Sequence, residues 1–301
     1  MIKEVLKYLP QILQYEIDEQ IKNNSETERQ IEEIRLRVNR RASLKIGQEV
    51  KILKTIITQN DIKNTFEKIC ENSIYSYIKQ ISEGFITIEG GNRVGIVGSC
   101  VLENEKVTNI NYISSLNFRI ARQLKEVSIP FLKYVIDLQN DTIFNTIIAS
   151  PPGGGKTTIL RDLIRKISNG MPEINFTAKT CGVVDERGEI AASAKGIPQN
   201  DLGNLTDIIE NVPKHTGMKI LIRSMAPQII ACDEIGSKED IEAIKYAINS
   251  GVKGIFTYHA QNLEEVMSNR EIEKLITNKT IQNIIVLDMK EKGKIKEIYK
   301  N

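Results

Sequence analysis

The chain has 301 residues, of which 41% are hydrophobic and 27% are charged, and its formal net charge is +2. These values are typical of a globular protein large enough for two domains. A net charge so close to zero gives no overall electrostatic argument for binding nucleic acid or an anionic membrane. No apolar run approaches the length of a transmembrane helix, so we expect no direct membrane span.

The cysteines indicate a reducing environment. Cys70, Cys100, Cys181 and Cys232 are scattered along the chain and form no C-x-x-C pair. All four lie among apolar or strand-forming residues, which predicts reduced thiols in the core of a cytoplasmic protein.

Residues 1–126 predict a smaller N-terminal α+β domain. An amphipathic stripe over 5–17, interrupted at Pro10, predicts helix, and residues 33–38 and 50–57 predict strands. Thr58 or Asp61 is expected to cap a following helix. Its predicted apolar face consists of Ile62, Phe66, Ile69, Ile74 and Ile78.

A hairpin and a further strand are expected before the domain ends. Residues 85–101, broken at Gly90-Gly91, predict the hairpin, and residues 117–122 predict the strand. Five arginines fall on the predicted strands of this domain: Arg35, Arg37, Arg93, Arg119 and Arg122. They either form a solvated strand face or approach a bound nucleotide from a neighbouring domain or subunit.

Residues 127–301 alternate strands and helices, which predicts a parallel sheet covered on both faces. Helices are predicted at 131–138, 156–168 and 239–249, and strands at 181–186, 228–232 and 254–257, with a closing hairpin over 283–299. The fold class expected for the whole chain is therefore α/β.

A glycine-rich loop marks the clearest motif. Residues 147–158 read Ile-Ile-Ala-Ser-Pro-Pro-Gly-Gly-Gly-Lys-Thr-Thr, and apolar residues at helical spacing follow. Strand, glycine loop and helix are the context of a phosphate-binding P-loop, whose backbone N–H groups and helix dipole bind a polyphosphate. The residues predicted to bind nucleotide are Pro152, Gly153, Gly154, Gly155, Lys156, Thr157 and Thr158.

Within this loop, Lys156 is expected to reach the β- and γ-phosphates, and the Thr157 hydroxyl to bind Mg²⁺. Ser150 stands where the pattern G-x-x-x-x-G-K-[ST] has its first glycine. That glycine serves the turn out of the strand, so the substitution weakens the pattern more than it weakens the chemistry. The predicted ligands are ATP and Mg²⁺.

Two acids end another apolar strand, Ile-Ile-Ala-Cys-Asp233-Glu234. Open α/β sheets place their ligands at the carboxyl ends of strands. Asp233 is predicted to hold Mg²⁺ and Glu234 to polarise the attacking water. Alone, such acids would be interpreted as ordinary helix caps, and it is the P-loop upstream that favours the functional interpretation.

Four further side chains are predicted to act at the site. His259 follows a strand and either senses the γ-phosphate or forms a structural hydrogen bond. Glu189 follows the strand 181–186 and is expected near the nucleotide. Arg187 and Arg223 are each predicted as an arginine finger, with pairing to surface acids as the alternative.

These motifs together resemble the stage III sporulation protein AA family. The resemblance rests on Gly-Gly-Gly-Lys-Thr-Thr, Val184-Asp185-Glu186-Arg187-Gly188-Glu189, the Arg-Ser-Met-Ala-Pro series from Arg223 and the Asp-Glu-Ile-Gly series from Asp233. It spans nearly the whole chain and includes Gly-Gly-Asn-Arg-Val-Gly from Gly90. The family is similar to the ring-forming ATPases of type II and type IV secretion.

The resemblance implies a RecA-like P-loop ATPase domain over 127–301 and a homo-oligomeric, hexameric ring. It also implies action in the mother cell, at the membrane, where partner membrane proteins of a sporulation channel recruit an otherwise cytoplasmic protein. Two alternatives stay open: a nucleic-acid translocase and a structural ring that nucleotide merely stabilises. Nucleic acid is disfavoured because no basic patch interleaved with aromatics is present.

Overall fold

The computed structural model describes residues 2–23, 26–71 and 73–301. The chain divides into two compact units. The first contains residues up to Arg122 together with Ala192–Gln199, and the second contains Gln123–Ala191 and Asn200–Asn301.

The first unit is a six-stranded antiparallel sheet with helices. Its helices are α1 (Ile2–Leu6), α2 (Gln11–Asn23), α3 (Glu26–Gln30), α4 (Gln59–Ile69) and α5 (Ile78–Ser82). Its strands are β1 (Ile31–Arg37), β2 (Arg40–Ile46), β3 (Glu49–Ile57), β4 (Phe85–Ile88), β5 (Asn92–Glu103) and β6 (Lys106–Arg119). The strand order is β3-β2-β1-β6-β5-β4, and side chains from helices and sheet form one core.

Helix α4 begins at the predicted cap and ends earlier than predicted. Thr58 and Asp61 form a capping box, which satisfies two N–H groups at the start of the helix. The helix ends at Ile69, because Glu71 adopts a positive φ of 48°. The prediction that Ile74 and Ile78 share its apolar face is wrong: they are 42% and 46% exposed, beyond the helix.

Four of the five arginines lie beside a cavity on one face of the sheet. The cavity has a volume of about 480 Å³, and its lining includes Arg35, Arg37, Arg93 and Arg119. Arg93 stands directly across from Arg119 in the β5–β6 register. The fifth arginine, Arg122, donates to the carbonyl of Ile31 at 2.7 Å. It lies past the end of β6, since the predicted strand 117–122 stops at residue 119.

The second unit is built on a seven-stranded sheet. Its helices are α6 (Ile129–Val135), α7 (Lys156–Asn169), α8 (Lys214–Met225), α9 (Lys238–Asn249), α10 (Leu263–Ser268) and α11 (Arg270–Thr277). Its strands are β7 (Ile136–Asp137), β8 (Thr142–Ile143), β9 (Thr146–Ala149), β10 (Cys181–Asp185), β11 (Thr206–Glu210), β12 (Ile229–Cys232), β13 (Lys253–Tyr258), β14 (Asn283–Leu287) and β15 (Ile295–Lys300). Strands β7 and β8 pair separately.

The order of the large sheet is β11-β10-β12-β13-β9-β14-β15. All its neighbours are parallel except β14 and β15, which form the predicted closing hairpin. Helices cover both faces, as predicted, since adjacent residues of β9 enter different cores: Ile148 packs with α6 and α7, and Ile147 packs with α8, α9 and α11. The mixed α/β class and the parallel sheet are thus confirmed.

The cysteine prediction holds in part. Cys70, Cys181 and Cys232 are buried, whereas Cys100 is exposed. The expectation of a core thiol is wrong for Cys100, which lies where β5 continues beyond the register it shares with β4. Among the described residues no helix is long and apolar enough to cross a membrane.

Candidate nucleotide-binding site

The glycine loop joins β9 to α7 through two residues in the left-handed region. Gly153 has a φ of 77° and Gly155 a φ of 94°, conformations that side-chain-bearing residues rarely adopt. Gly155 is also the N-cap of α7, so the N–H groups of the first turn face the loop. Pro152 and Gly153 are exposed, and Thr158 is half-buried. The backbone therefore has the form that a polyphosphate site requires.

Ser150 is accommodated without strain at the position of the missing glycine. It is fully buried, lies outside the positive-φ region and donates its hydroxyl to the carbonyl of Pro151 at 2.9 Å. Gly154 makes room for it, because a Cβ at residue 154 would lie 2.3 Å from Ser150 Oγ. The turn therefore accepts a serine at residue 150 because residue 154 is a glycine.

Lys156 points back into the loop. Its side chain is buried, and Nζ donates to the carbonyl oxygens of Ser150 at 2.8 Å and Pro151 at 3.2 Å. Burial lowers the pKa of Lys156, and the nearby charges of Asp233, Glu234 and Glu189 oppose that shift. The ammonium group therefore lies in an acidic surrounding, where an incoming phosphate can replace carbonyl oxygens as its acceptor.

Asp233 follows β12 and meets the P-loop helix. Thr157 Oγ1 donates to Asp233 Oδ2 at 2.5 Å, and Thr257 Oγ1 donates to Oδ1. A hydroxyl and a carboxylate are the oxygen ligands that Mg²⁺ uses in P-loop proteins, with phosphate and water completing its shell. No cluster of three or more His, Cys, Asp or Glu that could hold a metal occurs among the described residues. Thr157 and Asp233 fit a Mg²⁺ ion that depends on nucleotide for its other ligands.

Glu234 is held by two side chains from different elements. His259 Nε2 lies 2.8 Å from Glu234 Oε1, and Arg187 forms an ion pair with Oε2. His259 Nδ1 lies 3.3 Å from Lys156 Nζ. Because the ammonium group donates to Nδ1, the proton of the neutral ring is on Nε2, where it faces Glu234. His259 therefore connects the P-loop lysine to the carboxylate predicted as the base.

The loop after β10 brings Glu189 and Arg187 to the same cleft. Asp185 is buried, and its carboxylate accepts the backbone N–H groups of Glu189, Ile190 and Ala191. Arg161 on α7 donates to the carbonyl oxygens of Glu189 at 2.7 Å and Ile190 at 2.9 Å. The loop is thereby fixed to the P-loop helix itself.

Side chains from this loop, from the ends of β10 and β12 and from the first residue of α8 line one small cleft. Its lining residues are Val184, Asp185, Glu186, Arg187, Glu189, Lys214, Asp233 and Glu234. Arg223 is not among them: it is exposed in the last turn of α8, and its side chain makes no hydrogen bond or ion pair within the part of the chain that the structure describes. Its assignment as an arginine finger stays a prediction.

Three contributors to this geometry were missed by sequence reasoning: Arg161, Asp185 as an anchor, and Thr257. Asp185 and Thr257 carry a signal, since each is a polar residue at the end of an apolar strand. Arg161 carries none in isolation, because its role depends on which loop packs beside α7.

Known proteins resemble this chain in sequence and in fold. The chain is 36% identical over 272 residues to stage III sporulation protein AA of Bacillus subtilis, covering 90% of this chain and 87% of that protein. The pilus retraction motor PilT, solved with bound ADP, is similar in structure with a TM-score of 0.58 and 14% identity, over 88% of this chain and 77% of PilT.

The ATPase DotB of Legionella pneumophila is similar with a TM-score of 0.54 and 13% identity, over 90% of this chain and 75% of that one. At identities this low the structural similarity shows the fold alone, which this chain shares with these ATPases. The family model for sporulation stage III, protein AA, matches residues 4–301. This chain therefore belongs to the sporulation stage III, protein AA, family.

Proposed function

We propose that this protein hydrolyses ATP at the P-loop site and uses the reaction as a ring-shaped motor in sporulation. The observation that carries the proposal is the convergence of two P-loop side chains with the acids of β12. Thr157 donates to Asp233 at 2.5 Å, and Lys156 reaches Glu234 through His259 at 3.3 and 2.8 Å. These contacts support a site in which a phosphate cradle, a metal-binding pair and a general base act together.

The residues divide the work of phosphoryl transfer. Lys156 and the loop N–H groups bind the phosphates, and Thr157 with Asp233 holds Mg²⁺, which supplies charge neutralisation when bound. Glu234 orients the attacking water and takes its proton. Positioning and electrostatics provide most of the acceleration, as is usual for this reaction.

Arg187 is proposed to exchange partners when nucleotide binds. Both carboxylate oxygens of Glu234 are engaged, Oε1 by His259 and Oε2 by Arg187. The Arg187 side chain is 65% exposed, whereas that of Glu234 is only 22% exposed, so Arg187 is the partner more accessible to an incoming phosphate. A phosphate that attracts the guanidinium frees Oε2 to accept a proton from water. Glu189, in the same cleft, remains as a second carboxylate near that water.

Family membership and fold support a proposal for the biological setting. The family belongs to sporulation, and the similar folds include the pilus retraction motor PilT and the ATPase DotB. We therefore propose a hexameric ring in the mother cell, recruited by membrane proteins of a sporulation channel. The smaller N-terminal α+β domain, residues 1–126, is proposed to move against the RecA-like ATPase domain, residues 127–301, during hydrolysis.

The test separates binding from chemistry. Glu234→Gln should abolish steady-state phosphate release and leave ATP binding intact, because the amide keeps the shape and loses the basic oxygen. Lys156→Ala should abolish binding itself. Glu239→Gln, an exposed acid on α9, is the matched control and should behave as the wild type.

Size-exclusion chromatography with and without ATP completes the experiment. ATP-dependent assembly that survives Glu234→Gln while sporulation also survives would favour the structural ring over the motor. Hydrolysis in Glu234→Gln at the wild-type rate would remove this residue from the mechanism.

A further inference from the structure

Thr257 is a buried hydroxyl that contacts both acids of the site. It lies near the end of β13, next to β12 in the sheet, and is fully buried. Its Oγ1 donates to Asp233 Oδ1 and accepts the backbone N–H of Glu234 at 2.8 Å. One side chain thus touches the carboxylate of the first acid and the main chain of the second.

The backbone of Glu234 needs such support. Glu234 has a φ of 54°, in the left-handed region that residues with a side chain rarely occupy. Thr257 holds this conformation from both sides, because its carbonyl also accepts the N–H of Ile235 at 2.9 Å. Left-handed residues persist only where surrounding contacts enforce them, and they concentrate at functional sites.

We propose that Thr257 is a positioning residue for both acids, and that this inference deepens the proposed ATPase activity. Its hydroxyl fixes Asp233 with Oδ2 directed toward Thr157, and its two bonds to the main chain direct Glu234 toward His259. The hydroxyl proton is committed to Asp233, so Thr257 acts through the acids and not on the substrate.

The isosteric substitution Thr257→Val tests the role with almost no change of volume. The N–H of Glu234 loses its acceptor, so its hydrogen exchange in the nucleotide-free protein should accelerate about tenfold. The kcat for ATP should fall by about 10- to 100-fold, the usual effect of losing a partner of a metal-binding carboxylate, while KM changes less than about threefold. Thr257→Ser, which keeps the hydroxyl, should restore both values.

Thr146→Val is the matched control. Thr146 is also buried in this sheet, but its hydroxyl donates to the carbonyl of Phe144 at 2.7 Å, away from the acids. Thr146→Val should leave both the hydrogen exchange of the Glu234 N–H and the kcat for ATP unchanged. Unchanged exchange in Thr257→Val, unchanged kcat, or a serine variant no better than valine would each overturn the proposal. A wild-type protein without ATPase activity would refute the proposed function, while the exchange measurement would still test the contact.

Discussion

Asp185 offers the sharpest test of how the site is built. Its buried carboxylate accepts Glu189 N at 2.8 Å and Ala191 N at 2.8 Å on opposite oxygens, with Ile190 N between them at 3.1 and 3.2 Å. Asp185→Asn keeps the size of the side chain but leaves only one acceptor oxygen. Whichever way the amide turns, its NH₂ group faces one of the two short donors.

The magnitude follows from that geometry. One hydrogen bond to a charged acceptor is lost, worth about 1.5–3 kcal/mol. Since about 1.4 kcal/mol is a factor of ten, the amide that loses its acceptor should exchange about 10- to 150-fold faster. The consequence for function is a looser loop around Glu189, and thus a lower rate of ATP hydrolysis.

Hydrogen exchange of the peptide covering residues 186–191 measures this directly. Asp288→Asn is the matched control, because Asp288 also accepts two backbone N–H groups, from Lys290 and Glu291, on a more accessible loop. The effect of Asp288→Asn on the exchange of residues 290 and 291 should stay below about tenfold, because both N–H groups bond to Oδ1, an oxygen that asparagine retains. Exchange of 186–191 that is unchanged in Asp185→Asn would refute the anchoring role.

Three further outcomes are expected. Gly154→Ala should lower the melting temperature and weaken nucleotide binding, because the added Cβ would lie 2.3 Å from Ser150 Oγ. Adding Ser150→Gly should restore both the melting temperature and the binding. A double variant no better than the single one would refute the steric reason. A thiol reagent should modify one cysteine of the native protein, the exposed Cys100. Burial raises the pKa of Cys70 to about 11 and that of Cys181 to about 12, and it raises the pKa of Cys232 as well. Rapid modification of a second cysteine would contradict this packing. Hydrogen bonds from Lys179 and Thr177 lower the pKa of Asp141 to about 2, so the stabilisation by this carboxylate is present above about pH 4 and lost as pH falls through about 2. The free energies of unfolding of the wild type and of Asp141→Asn should converge over that window. A constant difference between them down to pH 2 would contradict this prediction.

Local patterns predicted the elements well where the signal is local. The capping box at Thr58, the P-loop between β9 and α7, and the closing hairpin were all readable from adjacent residues. The missed elements were the strands β2, β7, β8 and β11 and the helices α3, α8, α10 and α11. The segment Arg40–Ile46 has basic residues among its apolar ones, and Thr206–Glu210 is half-buried throughout, so neither shows the contrast on which periodicity depends.

The sequence by itself determined the chemical groups of the site: a glycine loop that admits left-handed backbone, a lysine and a threonine at a helix start, and two acids after an apolar strand. Only the tertiary structure decided how those groups face one another. Strand β13 lies between β12 and β9 in the sheet, which inserts Thr257 and His259 between the acids and the P-loop. Strand order depends on how distant segments pack, and no periodicity within one segment encodes its neighbour.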